Sequence, residues 1–162
     1  MPGYLASVYL HQLAALIWVG GMLFLTLVLV PVALRMEPSR RGALLADVGR
    51  RFRWVGWGCM VVLAVTGLIL LGRRGITLAD IFTGHFISGP RGVALLSKLV
   101  LFAAMVGLSA LHDFALGPQV ARALQTAPQR AAGLRRRTAW LARANLALGL
   151  AVLALAMLLV RG

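Results

Sequence analysis

Residues Tyr4 to Leu34 read YLASVYLHQLAALIWVGGMLFLTLVLVPVAL, thirty-one positions without a single Lys, Arg, Asp or Glu. A helix needs about 20 mostly apolar residues to cross a hydrocarbon core of about 30 Å. This run is therefore a membrane helix, either tilted or continuing past the bilayer. Three further apolar runs follow at 54–71, 93–116 and 139–160. The expected fold is all-α: an integral membrane four-helix bundle forming a single transmembrane domain over 1–162, with short amphipathic segments in its loops. Composition agrees, since 60% of the residues are hydrophobic, 13% are charged and the mean hydropathy is +0.88. Soluble domains carry about twice that share of charge. The opening Met-Pro-Gly-Tyr lacks the positive charge of a secretory signal, and the apolar run is too long for a signal's core. The first helix is expected to remain in the mature protein.

The arginines set the topology. Arg35, Arg40, Arg41, Arg50, Arg51 and Arg53 fall in the first loop and Arg122, Arg130, Arg135, Arg136 and Arg137 in the third, whereas the second has Arg73, Arg74 and Arg91. Basic residues collect in cytoplasmic loops. Loops one and three are therefore expected in the cytoplasm and both termini outside, in a bacterial inner (cytoplasmic) membrane. The net charge of +13 reads as topology and as attraction to anionic lipid headgroups, not as a nucleic-acid surface. The expected partners are the lipid bilayer and either a membrane-protein partner or a second copy of the chain. A soluble enzyme is excluded, because there is no Gly-rich phosphate loop and no nucleophile–base constellation, and four acidic residues leave little to build one from. The single cysteine, Cys59, rules out an intramolecular disulfide and reads as a small packed residue.

Ionisable residues inside a membrane span are costly, so each is a candidate for function. Here they are His11, Lys98, His112, Asp113 and Arg143. His11, Trp18 and Met22 are spaced by seven and eleven residues, which puts them within about 20° of one direction on a helix. Lys98, Met105 and His112 repeat the device at intervals of seven. Two seams of this kind suit a site inside a bundle. With the termini outside, His11, Lys98, His85 in the second loop and Met157 in the last helix share the outer layer. His112 lies fourteen residues from Lys98, about 21 Å along the axis, near the inner surface. Asp113 and Arg143 are at similar depth there and are expected to form a structural ion pair. Trp54, Trp57 and Trp140 sit where helices enter the bilayer and read as interfacial anchors.

The chemistry open to these residues follows from their type. Neutral imidazole ligates haem iron or copper, so His11 is the leading metal ligand, with His85 and Met157 as further donors. Met22, Met60, Met105 and Met157 supply thioethers suited to Cu(I), and equally fill gaps in an apolar core. Trp18 offers a ring to stack on a porphyrin edge. Lys98 offers a charge for a propionate, or snorkels to the headgroups.

The run His11-Gln-Leu-Ala-Ala-Leu-Ile-Trp18-Val-Gly-Gly21-Met-Leu-Phe followed by Leu-Val-Leu-Val-Pro31 resembles the first helix of the copper-resistance D (CopD) family. It is also similar to HemJ-type protoporphyrinogen oxidases, which look like relatives on the same four-helix plan. Arg53-Trp54 leading to Val65-Thr66-Gly67, and Lys98-Leu-Val-Leu with His112 downstream, extend the resemblance to three of the four helices. The HemJ likeness implies a b-type haem with an essential first-helix histidine and third-helix lysine, matched by His11 and Lys98. The CopD likeness implies a part in copper uptake or resistance. Three functions follow: a haem b redox protein whose cofactor pocket is made from His11, Trp18, Lys98 and His112; a copper component using His11, His85 and Met157; and a non-catalytic membrane subunit of a larger complex.

Overall fold

The computed structural model describes residues 2–83 and 89–161, and every regular element among them is helical. α1 (Pro2–Phe24) passes through a π turn, Leu25–Leu29, into α2 (Val30–Leu34). α3 (Pro38–Gly72) and α4 (Leu78–Thr83) follow. α5 (Gly89–Ala110) passes through a second π turn, Leu111–Leu116, into α6 (Gly117–Thr126), and α7 (Pro128–Arg161) ends the chain. Four helical segments, Pro2–Leu34, Pro38–Gly72, Gly89–Leu124 and Gln129–Met157, are long and apolar enough to cross a membrane. The all-α fold with four membrane helices is what the hydropathy pattern predicts. Contacts divide the chain into two units, Met1–Phe86 and Ile87–Gly162.

Proline is a usual stop signal for a helix, so the sequence predicts ends for the first and third helices near Pro31 and Pro118, and the structure corrects both. Pro31 does not end the first helix and Pro118 does not end the third. Each lies two residues after a π turn, Leu25–Leu29 and Leu111–Leu116. A proline inside an α-helix lacks the N–H for its hydrogen bond, and its ring collides with the carbonyl four residues back. A widened turn just ahead of the proline shifts that carbonyl aside and lets the helix run on.

The arginine-rich loops are also shorter than expected. The sequence predicts a first loop of about twenty residues with its own short helix at 39–48; instead only residues 35–37 intervene, and α3 runs unbroken from Pro38 through that segment into the membrane span. α7 likewise begins at Pro128, well before 139. The apolar stripe explains both. Arg41, Leu44, Leu45, Val48 and Phe52 are half-buried and lead, at intervals of three and four, into buried Gly56, Cys59, Met60, Leu63 and Thr66. Ala131, Leu134, Thr138, Leu141 and Asn145 do the same on α7. A helix holds together along such a stripe whatever the solvent on its other face.

In the first unit α1 and α3 pack antiparallel. Ser7, His11, Ala14, Trp18 and Gly21 form the α1 seam. The Phe52 ring lies on Gly21 so closely that its Cε2 and Cζ occupy the place of a β-carbon, with Cζ 2.7 Å from that position. α3 then closes with a Schellman turn: Gly75, at φ +75°, donates to Gly72 O at 3.1 Å and Ile76 donates to Leu71 O at 3.1 Å. The second loop, whose interleaved glycines and apolar residues suit a re-entrant or interface-lying segment, continues with a capping box at the head of α4. The Thr77 N–H donates to Asp80 Oδ2 at 2.7 Å, and the Asp80 N–H returns to Thr77 Oγ1 at 3.2 Å. In the second unit α5 packs on α7 through buried Ser109 and Asn145, joined by Asn145 Nδ2 donating to Ser109 Oγ at 2.9 Å.

Candidate functional site

His11 sits midway along the α1 seam, half-buried against α3. Its Nδ1 is 2.8 Å from Thr66 Oγ1. The Thr66 hydroxyl donates its one proton back to Val62 O at 2.6 Å, the back-bond that threonine makes inside helices. Its oxygen is left to accept, so Nδ1 of His11 carries the proton in this bond. The neutral ring then holds its lone pair on Nε2. Gly67 follows Thr66, and the position of a β-carbon there is 3.7 Å from His11 Cε1. The ring thus lies beside the hydroxyl of Thr66 and the bare backbone of Gly67.

A hydrogen bond that fixes the tautomer and plane of an imidazole is the usual preparation of a metal ligand. In an apolar span the same bond is also helix–helix glue, worth about 0.6 kcal/mol on average. Trp18 is two turns along the seam and 3% exposed. The Nε1–Cδ1 edge of its indole packs on Gly56, 3.4 and 3.5 Å from the β-carbon position. The ring that the sequence offers for stacking on a porphyrin is thus engaged with α3. Met22 is half-buried at the next turn, and Met60 is buried on α3.

In the second unit Lys98 is half-buried on α5 and Met105, seven residues on, is buried. His112 and Asp113 fall inside the π turn Leu111–Leu116. His112 Nδ1 lies 2.9 Å from Asp113 Oδ1, with the two side chains 35% and 14% exposed. Widened turns of this kind recur at functional sites. Arg143 is exposed, and its guanidinium lies 5.6 Å from the centroid of the Trp140 ring on its own helix. Of the residues expected to pair at this level, Asp113 meets His112 and Arg143 meets Trp140. Met157 is 70% exposed. His85, expected as a metal ligand, lies outside the described residues. Among the described residues, no three of His, Cys, Asp and Glu come together as a bare metal ion requires.

Sequence reasoning missed Thr66 as the partner of His11, and missed the Ser109–Asn145 pair altogether. The signals were present. Thr66 continues the Cys59 heptad of α3, Ser109 falls on the Met105 face of α5, and Asn145 is the only asparagine in the chain.

Residues 46–159, well over half of the chain, match the family described as Copper resistance protein D. The match takes in Thr66, Lys98, Met105, Ser109, His112 and Asn145, while His11 and Trp18 precede it. An uncharacterized protein of Aquifex aeolicus (strain VF5) is 34% identical over 110 residues, 67% of each chain. No solved structure matches the sequence. Family match and four membrane helices together make this chain a multi-pass membrane protein of the copper resistance D family.

Proposed function

We propose that this protein binds haem b through His11 and serves a redox role in the bacterial inner membrane, with its arginine-rich helix ends on the cytoplasmic side. The observation that carries this reading is the His11–Thr66 bond of 2.8 Å. It holds the imidazole in the tautomer with the lone pair on Nε2. Haem brings four equatorial nitrogens of its own and asks the protein for an axial donor, which one oriented imidazole supplies. Bound there, the group would contribute one-electron chemistry. The chain's own part is to hold the ring through Thr66, to leave room beside it at Gly67, and to keep the seam dry with Ala14 and Trp18.

The family match favours a second reading, a copper transport or resistance component in which His11 and methionine thioethers hand on Cu(I). An optical spectrum separates the two. Protein purified after expression with ample haem is expected to show a Soret band that shifts on reduction, and His11→Ala should lose it. Wild-type protein without a Soret band, yet retaining one copper per chain after Cu(I) loading and desalting, would replace haem by copper. Retention of neither would leave His11 to helix packing, and would favour a non-catalytic subunit.

A further inference from the structure

We propose that α7 carries a binding site for an anionic phospholipid, made by Arg136, Trp140 and Arg143. At 100° per residue these three and Ala147, Leu150 and Ala154 fall within about 80° of one direction. All six are exposed. Asn145 and Gly149, on the opposite side, are buried, and Asn145 is the residue that bonds Ser109 of α5. The stripe is therefore the outward face of α7.

Its two halves differ in chemistry. The first presents two guanidiniums around an indole, with Arg143 folded back over the Trp140 ring at 5.6 Å. The second presents only methyl and isobutyl groups for about 10 Å more of helix. An exposed tryptophan marks the level of the headgroups. Arg143 is attached about one turn further along the helix, and its side chain turns back toward that ring. Among the described residues its contact is an aromatic ring rather than a carboxylate. Folded back to that level, the guanidinium reaches the headgroups, where lipid phosphates are the anions at hand, and the sequence from Phe114 to Gly162 has no Asp or Glu to compete for it. A phosphodiester above two acyl chains meets both halves of the stripe at once. A free phosphate would use only the first half and would leave the apolar half unexplained.

The test is lipid retention by the full chain in detergent, read by native mass spectrometry with equal phosphatidylglycerol and phosphatidylcholine. Phosphatidylglycerol is expected to be retained in preference. Each basic residue near an anionic surface contributes about 1 kcal/mol, so Arg143→Gln should weaken retention about fivefold and Arg136→Gln with Arg143→Gln about 25-fold. Arg143→Lys, which keeps the charge, should stay near wild type and shows that the fold survives change at this position. Arg135→Gln, about 100° around the helix, should change retention less than twofold. Equal retention of the two lipids would overturn the proposal. So would a loss in Arg135→Gln as large as in Arg143→Gln, since the effect would then be the general field of the arginines. Displacement of the lipid by inorganic phosphate alone would reassign the site to a soluble anion.

Discussion

Replacing Thr66 by valine tests the preparation of His11 directly. Valine keeps the shape of threonine and removes the oxygen that accepts from Nδ1. The bond spans 2.8 Å, and a hydrogen bond of this kind has a net worth of about 0.5–1.5 kcal/mol. That range corresponds to roughly a 2- to 13-fold bias of the neutral ring toward the Nδ1–H tautomer. The assay is nitrogen NMR of protein labelled at its three histidines, with His11→Gln identifying the His11 signals. In wild type Nδ1 should read as the protonated nitrogen and Nε2 as the unprotonated one. Thr66→Val should lose that bias, and Thr66→Ser should restore it. The consequence for ligation follows, since loss of the group that orients a metal-bound histidine costs about 10–100-fold in affinity. Haem or copper titration of the same variants measures that loss. A wild-type ring with the proton on Nε2 would refute the reasoning, because Thr66 would then be donating to His11 and not to Val62. An unchanged tautomer in Thr66→Val would refute it equally.

Three further perturbations follow from the packing. Gly21→Ala puts a methyl where the Phe52 ring lies; overpacking costs about 1–3 kcal/mol, so thermal unfolding in detergent should show a lower Tm, with Phe52→Leu in the same chain recovering part of it. Ser109→Ala and Asn145→Ala should be coupled by about 0.6 kcal/mol and by no more than about 1.7 in a double-mutant cycle of unfolding, the range found for polar contacts between membrane helices; strict additivity would show that the 2.9 Å bond carries nothing. Gly75→Ala forces a β-carbon into the left-handed region at φ +75°, at about 1–2 kcal/mol, and should speed amide exchange at position 75 and at Ile76, whose N–H groups close the turn.

The four spans were legible because hydropathy reports what the bilayer accepts, and Tyr4–Leu34 has no charge to interrupt it. The ends of the helices were not. A transfer scale sees Arg40, Arg41, Arg50 and Arg51 as the edge of the membrane, whereas the helix responds to the stripe of Leu44, Leu45, Val48 and Phe52 that continues past that edge. The prolines misled for a related reason. Proline marks a helix end only while the hydrogen-bond ladder is α throughout, and a π turn ahead of Pro31 or Pro118 removes the conflict without leaving a trace in hydropathy.

At the site, His11 was legible by its cost in a membrane span, whereas Thr66 has little cost to announce it. A hydroxyl that can turn back to Val62 O satisfies itself within its own helix, so threonine enters apolar spans freely. The same property fits it to orient His11. Having given its proton to its own helix, Thr66 can only accept, and the polarity of the interhelical bond is fixed without a charged residue. An Asp in its place would hold the imidazole more strongly, but it would carry a charge into the span and favour the doubly protonated ring, which has no lone pair to give. A neutral acceptor is the choice that keeps Nε2 basic at membrane depth. The tautomer that packs against Thr66 is thus also the one a metal would need, so packing and ligation draw on a single arrangement and the haem or copper titration is what separates them.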